Sequence, residues 1–141
     1  SNTSRQLRSA EERLKESQSY LTTVVRFGGL FGPGRHPVNH MAGKTDLKNP
    51  GAPVNMIHLE DCIEIINQII EKEVWDETFN AVYPEHPSKE DYYTKEAEIK
   101  KLGIPVFDQD HISKGKTVNS INLKSKLDYS FKHDLFDPIA E

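Results

Sequence analysis

The residues most able to do chemistry sit close together in this chain. From Arg26 to Lys44 it reads Arg-Phe-Gly-Gly-Leu-Phe-Gly-Pro-Gly-Arg-His-Pro-Val-Asn-His-Met-Ala-Gly-Lys. Arg35, His36 and Lys44 could together hold an anionic group, because cationic side chains make charge-assisted hydrogen bonds to carboxylate or phosphate. As plain surface charge they need no role. Gly28 and Gly29 lack a Cβ, which suits either a close approach of another group or a strand end with φ above zero. Other signals carry no site. Gly43-Lys44-Thr45 imitates the end of a phosphate loop, but the glycine required five positions earlier is Val38. His36 and His40 have the spacing of two ligands on a helix, yet Pro37 interrupts and no third ligand is near, so no metal is expected. Cys62 lies in an isoleucine-rich stripe and reads as an inert buried thiol. His58 and Asp61 read as structural, Asp61 at a helix start and His58 in a strand-end hydrogen bond.

The elements that must position these residues follow from periodicity. Residues 5–17 contain no Gly or Pro and predict a helix, with Leu7, Ala10 and Leu14 as a narrow apolar stripe that needs a sheet to lie on. The β-branched run at 22–27 predicts a strand that opens into the glycine-rich elbow. A short helix at 38–43 and a loop at 46–53 lead to a strand at 54–58. Residues 59–72 form the strongest helix, with Cys62, Ile63, Ile65, Ile66, Ile69 and Ile70 as a broad buried face. A strand follows at 77–83, then a helix at 89–102 with Ser88 as N-cap and Gly103 as its C-terminal stop. Of Tyr92 and Tyr93, one is expected in the core and one on the surface. The remainder predicts a strand at 116–120, a short helix after Asn122 and an extended stub at 129–131. Helix-flanked strands imply a parallel arrangement, the setting in which ligands gather at strand carboxyl ends.

Composition narrows the class. With 141 residues, 28% of them charged and 35% apolar, the chain is one domain's worth with a modest core. A net charge of −4 gives no electrostatic reason to expect nucleic acid or an anionic membrane as partner. One cysteine excludes an internal disulfide and fits a reducing compartment, and no apolar run approaches a membrane span, so the cytoplasm is the expected location.

Three blocks, in order, resemble the carboxyl-terminal half of extended or atypical short-chain dehydrogenases/reductases, the NAD-dependent epimerase/dehydratase family. They are Val25-Arg26-Phe27-Gly28-Gly29-Leu30-Phe31-Gly32-Pro33-Gly34, Val54-Asn55-Met56-Ile57-His58-Leu59-Glu60-Asp61-Cys62, and Phe79-Asn80-Ala81-Val82. The first is similar to the family's Arg-x-x-x-x-Tyr/Phe-Gly-Pro-Gly, the second to its Ile/Val-His-x-x-Asp block, the third to its Phe/Tyr-Asn-Val strand. The resemblance implies an α/β fold: the C-terminal fragment of a Rossmann-like NAD(P)-binding fold, with short parallel strands packed by helices and a small substrate-binding subdomain. It implies that Phe27, Gly28 and Gly29 pass the nicotinamide ring of NAD or NADP, and that Arg35 and His36, with Lys44, face the substrate cleft.

Two family features are absent from these residues. No Gly-x-x-Gly-x-x-Gly follows a starting strand, and no tyrosine has a lysine four residues on. If Glu11 matches the glutamate of the family helix, Thr3 and Leu7 fall where the catalytic Tyr and Lys stand, and neither donates a proton near neutral pH. No catalytic residue is therefore expected within the chain. The resemblance implies a missing N-terminal Rossmann half as partner, a small-molecule substrate in the parent, and no cofactor bound to the fragment alone. The alternative is a non-catalytic sensor or scaffold on the same fold, and strand edges stripped of their partners could also pair with a second copy.

Overall fold

In the computed structural model, residues 1–136 are described. Helix α1 (Asn2–Lys15) starts where the Ser1 side chain accepts the Ser4 N–H at 3.2 Å. Strand β1 (Val24–Phe27) runs parallel to β4 (Thr78–Ala81), and β2 (Gly29–Phe31) parallel to β3 (Met56–His58). The elbow therefore contains a second strand where a glycine-rich loop was expected. Between β2 and β3 lies the short α2 (Val38–Met41); α3 (Leu59–Glu71) links β3 to β4, and α4 (Lys89–Ile99) and α5 (Ile121–Ser125) follow. Among the described residues no helix is long and apolar enough to cross a membrane.

Two cores result. Phe79 and Ala81 alternate inward on β4 and meet Cys62, Ile65 and Ile69 of α3 together with Leu123, Leu127 and Tyr129. Val25 and Phe27 pack against the same cluster. The second core joins Phe31, Val38, Val54 and Met56 to Tyr92, Tyr93 and Ala97 of α4 and to Leu135. Both tyrosines are thus buried, because α4 lies under the chain end that carries Leu135 and Phe136.

The long apolar face expected on α3 divides in two. Cys62, Ile65 and Ile69 are buried, whereas Leu59, Ile63, Ile66 and Ile70 form a stripe 42–56% exposed on the neighbouring face. Helical spacing cannot tell two adjacent apolar faces from one wide one. The stripe of α1 also stays exposed at Leu7 and Leu14, since the strand face below it is polar. There Glu11 accepts from Arg26 Nε at 3.0 Å and Lys15 donates to Thr78.

Helix ends account for further differences. Gly103 does not stop α4; Lys101 takes the left-handed position at φ 55°, with the Leu102 N–H on the Ala97 C=O at 2.8 Å and the Lys101 N–H on the Glu98 C=O at 3.1 Å. Glu73 does the same for α3 at φ 52°. Both are Schellman ends built on non-glycine residues. Gly103 is small for another reason, its backbone lying against Gly43. Residues 116–120 and 129–131 are not strands.

Candidate functional site

Gly28 is where the strands divide. Its N–H donates to the Ala81 C=O of β4 at 3.0 Å, and the next N–H, of Gly29, donates to the Asn55 C=O beside β3 at 2.9 Å. A Cβ on Gly28 would lie 2.6 Å from Val82 Cγ1 and 2.7 Å from the Asn55 carbonyl oxygen. Gly28 is not at positive φ, so close packing within the chain, not a left-handed turn, demands the glycine. At Gly29 the same test meets only ordinary contacts, with the Met56 side chain and the Asn55 carbonyl oxygen.

Since the Val24 N–H donates to the Glu77 C=O just before β4 and the Gly28 N–H to the Ala81 C=O within it, Val25 and Phe27 turn their backbone groups to the opposite edge of β1. No described strand pairs with that edge.

Beyond the fork, Pro33 and Gly34 form the corner of a tight turn, with reciprocal 2.9 Å hydrogen bonds between Gly32 and Arg35 and Gly34 at φ 70°. Arg35 stands exposed at its edge and Lys44 is exposed after α2, whereas His36 turns inward and is 4% exposed. Its Nδ1 accepts the Val38 N–H at 3.1 Å, which leaves the proton on Nε2, 2.9 Å from Tyr92 Oη. The Tyr92 hydroxyl then donates to the Leu135 C=O at 2.8 Å. Burial lowers the His36 pKa from 6.5 to about 4. It also raises that of Glu96, whose carboxyl lies 3.6 Å from the ring, so the two are not an ion pair at neutral pH.

Near the carboxyl ends of β1 and β4 lies a groove of about 510 Å³, lined by Leu7, Arg8 and Glu11 of α1, Arg26, Asn80 and Lys116 among others. Arg26 and Asn80 are register partners on adjacent strands. Glu11 bonds the Arg26 guanidinium at Nε and Nη2, which holds the carboxyl below its ordinary pKa. With that pair satisfied, Arg8 and Lys116 give the groove a positive balance on an acidic chain. Such a cleft attracts an anion, offers Asn80 for hydrogen bonding and Leu7 for apolar contact.

Of the six residues singled out by sequence, none lines this groove. Phe27 is half-buried against the α3 core, Gly28 and Gly29 form the fork above it, and Arg35 and His36 are adjacent only in sequence, their side chains diverging. In this conformation both His36 nitrogens are engaged within the chain. Sequence reasoning did not single out Arg26, Asn80 or Lys116 as site residues. The signal available was alternation, since Arg26 on β1 and Thr78 and Asn80 on β4 are the polar positions of strands whose other face is apolar.

No protein-family model matches the chain. It is 30% identical over 140 residues to Protein YeeZ of Escherichia coli (strain K12), spanning 99% of this chain and 50% of YeeZ. Among solved structures, a functionally unknown conserved protein from Silicibacter pomeroyi superposes with a TM-score of 0.72 at 21% identity, over 90% of this chain and 50% of that one. A dTDP-glucose 4,6-dehydratase from Bacillus anthracis, solved in complex with NAD, superposes with a TM-score of 0.71 at 13% identity, over 91% of this chain and 45% of its own. The fold is Rossmann-like. The parallel strand pairs and intervening helices described above are the α/β arrangement shared with these structures, and the chain spans about half the length of each of these three proteins.

Proposed function

We propose that the chain, residues 1–141 taken as one unit, is the substrate-side half of a cytoplasmic NAD(P)-dependent oxidoreductase or epimerase-like protein. The observation that carries the reading is the outer edge of β1, unpaired among the described residues, beside a groove at the strand carboxyl ends. An open parallel edge calls for another strand, and in doubly wound sheets ligands lie at that end of the strands. In this reading a preceding Rossmann half adds the strand and holds NAD or NADP, whose nicotinamide passes the Phe27–Gly28–Gly29 backbone. Arg35 and Lys44 meet an anionic part of a small-molecule substrate, and His36 acts from within the core by holding the turn that presents Arg35. The chain alone does not turn over, because it carries neither cofactor fingerprint nor proton donor.

Fluorescence titration with NADH and NADPH tests this. Binding is expected to the longer protein that contains this half and not to the chain by itself. Stoichiometric binding to the chain alone, or none to the longer protein, would overturn the proposal.

One observation favours a second reading, a sensor or scaffold without catalysis. Leu7, at the position the resemblance gives to the catalytic lysine, lines the groove with an alkyl side chain. Oxidation of NAD(P)H by the longer protein in the presence of a carbonyl compound would exclude it.

A further inference from the structure

Asn55 stands where the fork and the groove meet. Its backbone carbonyl accepts the Gly29 N–H and is one of the two groups that leave no room for a side chain on Gly28. Its carboxamide reaches the opposite way. Nδ2 donates to the Lys116 C=O at 2.9 Å, and Oδ1 accepts the Val118 N–H at 2.7 Å. A carboxamide presents a donor and an acceptor side by side, as the backbone of a strand does. Residues 116–118 are thereby paired as if to a strand although they belong to no sheet.

The segment so held is a wall between two cavities. On one side is the groove with Arg26 and Asn80. On the other is a groove of about 540 Å³ lined by His86, Leu123, Tyr129 and Phe131, which shares Thr117 and Asn119 with the first. The flanking tethers lie outside the wall: Lys114 N–H donates to Asn49 Oδ1 at 3.0 Å, and Asn122 Nδ2 donates to the Thr78 C=O at 2.9 Å. Between them, Lys116 and Thr117 are exposed.

We infer that Asn55 is a positioning residue: its carboxamide fixes Lys116 and the 116–118 wall of the groove while its own backbone fixes the glycine fork. The geometry of the two surfaces is then set by one residue. This rests on the reading of the groove as the ligand site, and it assigns Asn55 no contact with the ligand.

Hydrogen exchange and phosphate titration by NMR on this chain test the inference with Asn55→Ala and Asn55→Asp. Asn55→Ala is expected to speed exchange of the Val118 amide at least tenfold while the Phe79 amide of β4 keeps its protection. Asn55→Asp, whose carboxylate still accepts from Val118, restores that protection near neutral pH without restoring the bond to Lys116. Inorganic phosphate is expected to shift the Lys116 and Thr117 amides of the wild type, with an at least fivefold weaker response in Asn55→Ala. Unchanged Val118 exchange in Asn55→Ala overturns the inference. Should Asn55→Ala lose Phe79 protection through unfolding, Asn55→Asp decides, and loss of Val118 protection there overturns it as well. Absence of any phosphate response in the wild type counts against the groove as an anion site and leaves the Val118 result to judge Asn55.

Discussion

His36 donates its Nε2 proton to Tyr92 Oη across 2.9 Å, joining the turn after β2 to helix α4 at a separation of 56 residues. The direction follows from its neighbours, since Val38 N–H occupies Nδ1 and the Tyr92 proton is spent on Leu135. Three parts of the chain are thus joined in one relay, from a neutral imidazole through the Tyr92 hydroxyl to the Leu135 carbonyl. Phe31 adds an edge contact to the same ring, with centroids 5.6 Å apart.

That arrangement gives stability a pH dependence with a definite sign. The His36 pKa lies at about 4 in the folded protein against 6.5 unfolded. Above pH 6.5 the contribution is complete; as pH falls from 6.5 toward 4 the unfolded state takes up the proton first and stability declines, by up to about 3 kcal/mol. The raised pKa of Glu96 acts in the opposite sense, because the folded state then binds that proton more readily as the pH falls toward the ordinary carboxylate range. Urea titrations of the wild type and His36→Gln across this range isolate the histidine. The substitution should flatten the decline, and an equal slope in both proteins would refute it.

Gly28→Ala should destabilise the fold by about 1–3 kcal/mol, the cost of forcing a group into packed space. The intruding Cβ meets the Asn55 carbonyl, a backbone group with no rotamer to escape into. Gly29→Ala, whose Cβ would stand at ordinary contact distance from the Met56 side chain and the Asn55 carbonyl, should cost far less. Thermal melts of the two variants compare them directly, and equal losses would be inconsistent with the fork.

Asp61 is fully buried and accepts from the Tyr129 hydroxyl, from the Lys132 N–H at 2.8 Å and from the His133 N–H at 3.1 Å. It therefore ties the chain end to the start of α3. Tyr129→Phe removes one donor from this buried carboxylate and should cost about 1–3 kcal/mol. Exchange of the Lys132 and His133 amides should rise more than that of the β4 amides. A uniform change across the molecule would argue against a local tie.

Lys101 and Glu73 hold left-handed backbone that favours glycine. Lys101→Gly and Glu73→Gly should each stabilise the chain by about 1 kcal/mol, measured by chemical denaturation. Destabilisation by either would show that the side chain does more at the helix end than its conformation indicates.

The sequence by itself determined the helices α1 to α4, the strands β1, β3 and β4 and their parallel sense, because hydrophobic period and cap residues act over a few positions; it missed β2 and offered two strands, at 116–120 and 129–131, that do not form. Ser88 before α4 was legible in this way, its hydroxyl accepting the Asp91 N–H at 3.1 Å. Cys62 was legible too, as a buried thiol whose pKa burial raises to about 11. Only the tertiary structure decided that His36 faces Tyr92, that Gly28 divides two strand pairs, that Asp61 holds the chain end, and that Asn55 stands in for a strand beside Arg26 and Asn80. Each depends on partners 26 to 72 residues away in the chain. Local periodicity records which side of an element is apolar, and carries no information about which distant group will arrive there to be bonded.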